Sequence, residues 1–148
     1  MPVTIPSVHI GNCDIQRSEK ARNIGAMFDD TMSLNYLVDD KCKAAYKQIR
    51  RISRIRRFLN KTSADRLVHA FITSRLDHLN SLLLGMPKCK IKKLQHIQNI
   101  AARIVTRTRR SEHITPVLKQ LHWLPVSYRI KFKVLLYTYK ALNGCAPS

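Results

Sequence analysis

Four glycines and six prolines in 148 residues leave little material for turns. A fold of many short strands needs a turn signal about every ten residues, so this shortage favours helices with short loops. No apolar run approaches the ~20 residues of a membrane span. The four cysteines, Cys13, Cys42, Cys89 and Cys145, form no C-x-x-C pair, and their wide spacing matches no zinc or disulfide framework. Reduced, mostly buried thiols in a reducing compartment are the expectation. The opening Met1-Pro2-Val3-Thr4-Ile5-Pro6 has neither a basic head nor an apolar run, so no signal peptide is expected. There is no H-E-x-x-H, no P-loop and no G-x-S-x-G elbow. The histidines, His9, His69, His78, His96, His113 and His122, stand at no metal-ligand spacing with the cysteines. Acidic residues are scarce as well: 9 Asp and Glu face 27 Lys and Arg.

What is present is positive charge on a chain able to fold. Hydrophobic residues make up 45%, too many for wholesale disorder, and the formal net charge is +18. Charge of that size selects polyanionic partners rather than a fold. It is also unevenly placed. Residues 1–40 hold 3 basic and 6 acidic side chains, and residues 41–148 hold 24 basic and only Asp65, Asp77 and Glu112. This divides the chain into segments 1–40 and 41–148 and gives the second the affinity for polyanions.

Val8-His9-Ile10 and Cys13-Asp14-Ile15 flank the turn pair Gly11-Asn12, which predicts a β hairpin. A further apolar piece, 23–28, closes a small N-terminal β appendage that cannot be stable alone. Helical spacing then takes over. Leu34, Leu37, Val38, Cys42, Ala45, Tyr46, Ile49 and Ile52 line one face, with Ser33 as cap and a helix running to about Leu59. Lys43, Lys47, Arg50, Arg54 and Arg57 occupy the opposite face. Thr62 or Ser63 caps a second helix, with Asp65 in its first turn, that continues to Gly85 and Pro87. A third runs from about Lys88 to Thr108, a short one spans about 116–121, and a last one covers 126–142 with Ile130, Val134, Tyr137 and Ala141 toward the core. The expected fold is mainly α: a helical bundle with a small N-terminal β hairpin appendage.

Four basic stretches carry the functional signal: Arg50 to Lys61, Lys88 to Lys93, Arg103 to Arg110, and Arg129 to Lys133. A guanidinium grips phosphate with two parallel hydrogen bonds, and several such contacts bind without reading sequence. An ordinary solvated helix face mixes both signs, which these do not. The candidate nucleic-acid contacts are Arg50, Arg54, Arg57, Lys61, Lys92, Lys93, Arg103, Arg107, Arg109 and Arg110. Asp29-Asp30 is the tempting catalytic pair, but a two-metal centre needs carboxylates from separate places in the fold, and almost nothing lies upstream to supply them. A solvated turn before a helix is the simpler reading.

Three stretches together resemble the C-terminal part of the reverse transcriptase of non-LTR (LINE-type) retrotransposons. The first is Ile72-Thr73-Ser74-Arg75-Leu76-Asp77 with Asn80-Ser81-Leu82-Leu83 and Gly85-Met86-Pro87. The second is Lys93-Leu94-Gln95 with Ile97-Gln98-Asn99 and Ala101-Ala102-Arg103. The third runs from His113-Ile114-Thr115-Pro116 through Leu121-His122-Trp123-Leu124-Pro125-Val126 and Arg129-Ile130 to Tyr139-Lys140-Ala141-Leu142-Asn143-Gly144. The resemblance covers most of 70–148 and weakly includes Asn23-Ile24-Gly25-Ala26-Met27-Phe28-Asp29. It departs at His78-Leu79, where the family has Tyr-Cys, and at Ile100, where a small residue is common.

The resemblance implies that 1–40 is the end of the palm near the primer grip and 41–148 a basic thumb-like domain, truncated at its C-terminus. Such a fragment of an RNA-directed DNA polymerase would hold a template–primer through its phosphates without the catalytic centre. The isolated chain is then not an enzyme and carries no cofactor, although the parent enzyme needs Mg. Its partners are RNA, DNA or an RNA–DNA hybrid, and the missing fingers and palm, with no membrane. The location is intracellular, nuclear or cytoplasmic. Two other readings remain open: a nonfunctional, poorly folded transposon remnant, and a general basic nucleic-acid-binding protein. Trp123 either fixes a corner of the core or stacks on a base.

Overall fold

A computed structural model describes residues 8–16 and 18–145. The chain forms two compact units, Met1–Leu37 and Val38–Ser148.

The first unit is two antiparallel hairpins. Strands β1 (Val8–Ile10) and β2 (Cys13–Ile15) pair with Val8 opposite Ile15 and Ile10 opposite Cys13, around the Gly11-Asn12 turn. Gly11 has φ +61, the left-handed conformation that a two-residue hairpin turn needs. The apolar piece expected at 23–28 is instead half of a second hairpin. In it β3 (Lys20–Asn23) pairs with β4 (Ala26–Asp29), turning at Ile24-Gly25. Asp29 then organises the exit. Its carboxylate accepts from Thr31 Oγ1 (2.6 Å), Ser33 Oγ (2.5 Å), and the Ser33 and Leu34 backbone N–H groups (both 3.2 Å). The Ser33 and Thr31 hydroxyls, in that order, hold its pKa well below the usual carboxylate range.

The second unit is a helical bundle. Helix α1 (Asn35–Ile55) starts where Ser33 Oγ accepts from the Asn35 N–H at 3.3 Å, and a 3-10 turn, Arg56–Phe58, closes it. Val38, Ala45, Ile49 and Ile52 are buried along one face, as their spacing requires. Helix α2 (Lys61–Val68) is capped by Asn60 rather than by Thr62 or Ser63: the Asn60 carboxamide accepts from the Ser63 N–H at 2.7 Å.

The continuous helix expected up to Gly85 is broken. A π turn (His69–Thr73) follows α2, then the short α3 (Ser74–Asp77). Leu79 takes a left-handed φ of 53, and a 3-10 turn (Asn80–Leu83) completes the segment. The π turn brings the consecutive Ile72 and Thr73 both inside. Where α3 ends, the orphaned carbonyls of Arg75 and His78 both accept from the Lys41 ammonium of α1, the first at 2.7 Å. Lys41 is only 6% exposed, and burial pushes its pKa down to about 8 against the pull of the Asp77 carboxylate.

Helix α4 (Lys88–Thr106) is the centre of the bundle: Leu94, Ile97, Gln98, Ala101, Ala102 and Val105 are all buried. Each large apolar side chain so buried stabilises by roughly 1.5–3 kcal/mol. Helix α5 (Ile114–Gln120) and helix α6 (Val126–Leu142) both pack on α4. The α6 N-terminus is tied down by Gln95 Oε1, which accepts from the Val126 N–H (2.9 Å), and by Gln98, which donates to the Leu124 carbonyl (2.9 Å). Arg129 adds a two-pronged contact to Asp77, with Nε to Oδ1 at 2.9 Å.

Two expectations need correction here. Of the four α6 residues assigned to the core, Ile130 is buried and Val134 half-buried, whereas Tyr137 and Ala141 are exposed. The helix keeps its pattern but its neighbours end before it does. The cysteines are free, as expected, but not mostly buried: Cys13, Cys89 and Cys145 are exposed and Cys42 is half-buried. Among the described residues, no helix is long and apolar enough to cross a membrane.

Candidate nucleic-acid interface

The solvent face of α1 carries Lys43, Lys47, Arg50 and Arg54 at steps of four, three and four. These four exposed groups lie roughly 5–6 Å apart along the helix axis. With Tyr46 and Arg51 they line one open, shallow depression. None of the four has an ion-pair partner among the described residues. Arg50 and Arg54 were legible as candidates from their basic stretch. Lys43 and Lys47 belong to the same row, and the 3.6-residue period is the signal that joins them. Arg57 continues the basic series and lies over the exposed Phe58 ring at 4.6 Å.

The candidates near the end of α4 also make contacts within the fold. Arg103 donates to the carbonyls of Arg109 and Glu112, the latter at 2.7 Å, and so braces the loop to α5. Arg107 itself takes a left-handed φ of 59 as the α4 cap and donates to the Arg56 carbonyl at 3.2 Å. The Arg109 backbone N–H is held by the Glu112 carboxylate at 3.1 Å. Arg56, on the same stretch as Arg57, donates through Nε to Ile104 O (2.6 Å) and through Nη2 to Val105 O (2.8 Å), capping α4. Burial, and then the neighbouring Arg107 guanidinium, lower the Arg56 pKa. The guanidinium groups of Arg56, Arg103 and Arg107 thus donate to backbone carbonyls, whereas the Arg109 side chain is exposed.

Lys61, Lys92 and Arg110 are exposed, with no ion pair among the described residues. Lys93 reaches Asp39 at 3.5 Å, a surface pair of little energetic weight. Trp123 is 7% exposed and meets His69 edge-on, with ring centroids 5.3 Å apart. It therefore fills a core corner at the floor of an open depression that His69, His122 and Arg129 also line.

The described residues bring together no set of carboxylates suited to a magnesium ion. All four hydrogen bonds recorded at the Asp29 carboxylate come from its own turn, and no group of three His, Cys, Asp or Glu among the described residues could hold a metal ion. No family model matches the chain, and no curated protein or solved structure matches it either.

Proposed function

We propose that residues 38–148 form a nucleic-acid-binding module that grips the phosphate backbone of a template–primer duplex, in the manner of a reverse transcriptase thumb of the non-LTR retrotransposon type. The observation that carries this is the row Lys43, Lys47, Arg50 and Arg54: four cations on one straight element, aligned, exposed and without acidic neutralisation. A helix that rigid presents its charges at fixed spacing, which suits a regular polyanion better than a mobile acidic peptide. Contacts of this kind go to phosphates and carry no sequence preference. The likeness of 70–148 to the retrotransposon enzyme supplies the choice of template–primer. On this reading the chain binds and does not polymerise.

The test is fluorescence anisotropy of a labelled RNA–DNA hybrid with the full chain and with a K43Q/K47Q/R50Q/R54Q variant. Four lost phosphate contacts flatten the salt dependence of log affinity by about 3 to 4, at ~0.9 per phosphate. A variant that binds as tightly as the parent removes the interface from α1. Equal affinity for hybrid, duplex DNA and single strands would favour a general basic nucleic-acid-binding protein over a thumb.

A further inference from the structure

Where the turn after α5 meets the first half of α6, the second unit holds an open depression of about 410 Å³. Small-molecule sites span roughly 300–1,000 Å³. Four of the nine residues that line it carry planar rings: His69, His122, Trp123 and Phe132. Trp123 shows only a margin of its ring, whereas Phe132 is 59% exposed. Lys133 lines the same depression. Its ammonium stands over the Tyr137 ring at 5.3 Å, a contact that neutralises no charge, and it has no ion pair among the described residues. Asp77 is the one carboxylate among the lining residues, and Arg129 already holds it. Asn80, 5% exposed, also lines the depression, and its Oδ1 has no hydrogen-bond partner among the described residues. An acceptor left unpaired in such a wall marks a place that a polar partner completes.

These groups select the ligand. Aromatic rings beside an uncompensated ammonium suit a planar base joined to a phosphate. An acidic peptide would use the charge and leave the rings idle. An acyl chain would lie against Lys133, Asn80 and the Arg129–Asp77 pair and strip them of water. We propose that the depression binds one nucleoside phosphate, its base against Phe132 and the open margin of Trp123 and its phosphate at Lys133. That nucleotide is either free or the unpaired end of a strand. The site uses no residue of α1 and does not depend on the cation row.

Trp123 is the sole tryptophan, so its emission reports on this wall alone. The full chain is titrated with AMP, adenosine, ribose phosphate and inorganic phosphate, and with a short single strand of DNA. AMP should change the Trp123 emission saturably. Adenosine and ribose phosphate, each lacking one half of the ligand, should bind at least about tenfold more weakly. Phe132→Ala and Lys133→Gln should each weaken AMP binding by at least about tenfold, leaving the thermal melt and the binding of a blunt RNA–DNA hybrid unchanged. A response to the single strand but not to AMP would assign the site to a strand end, and the reverse to a free nucleotide. No saturable response to either overturns the proposal. So does an equal response to adenosine or to inorganic phosphate, since the charge or the rings would then be irrelevant. Unchanged AMP affinity in both variants would place the ligand elsewhere and overturn it as well.

Discussion

Lys41 offers the sharpest test of how the second unit is held together. Its ammonium is the donor for two backbone carbonyls freed where the helix breaks at His78 and Leu79. Substituting Met keeps the stem and removes the donor. At neutral pH two effects oppose each other. The unpaired carbonyls cost about 1–3 kcal/mol each. Removing a charge whose pKa burial has lowered from 10.5 to about 8 returns about 3 kcal/mol. The net change in Lys41→Met therefore lies between a gain of about 1 and a loss of about 3 kcal/mol.

The pH dependence separates the two effects. The folded pKa lies below the unfolded one, so between pH 8 and 10.5 the unfolded chain holds one more proton at this site. The contribution of Lys41 to stability is flat below pH 8 and rises above it. By about pH 9.5 the parent should gain about 2 kcal/mol relative to Lys41→Met. Urea unfolding of both proteins at neutral pH and about pH 9.5 measures the gap, and the difference between proteins cancels the titration of the other lysines. A gap that stays constant or narrows with pH would refute the burial of a charged Lys41 at this junction.

Other consequences follow from the same contacts. The Asp29 pKa is depressed, so its stabilisation of the turn is present above the unfolded carboxylate pKa of about 4 and is lost as pH falls. Protection of the Ser33 and Leu34 amides against hydrogen exchange, taken relative to the intrinsic rate at each pH, should fall in Asp29→Asn and in the parent under strong acid. Arg103→Ala and Arg107→Ala each remove donors to backbone carbonyls and should cost about 1–2 kcal/mol in urea unfolding. They should leave the salt slope of hybrid binding nearly unchanged, whereas loss of slope without loss of stability would make them phosphate contacts. Arg129→Met breaks the half-buried pair with Asp77 and should cost about 1–3 kcal/mol, with Asp77→Asn less than additive in a double-mutant cycle.

The helices were legible because their apolar residues keep a 3.6 period, and the bounds of α6 follow from Pro125 and Gly144. The break at Leu79 was not. No glycine or proline marks it, and Leu76, Leu79, Leu82 and Leu83 continue a helical rhythm. What permits the break is a lysine 34 residues away from the Arg75 carbonyl it satisfies, a tertiary donor that no local pattern announces. Likewise the arginines near the end of α4 read as a basic cluster, and only the fold shows that Arg56, Arg103 and Arg107 face carbonyls. The side chains of the α1 row leave the helix on the face away from Val38, Ala45 and Ile49. The burial of α6 was over-read because the wheel shows which face turns inward, not where the neighbouring helices stop.

The most direct test of the proposed function is the affinity of the full chain for a labelled RNA–DNA hybrid across a salt series, alongside its thermal melt. The account predicts one cooperative melting transition and a linear fall of log affinity with log salt. The slope should be worth about four phosphates from the α1 row and more where Arg57, Lys61 or Arg110 also reach the backbone. A folded chain that fails to bind the hybrid even at low salt would contradict the account. A chain with no cooperative transition would identify it as a remnant.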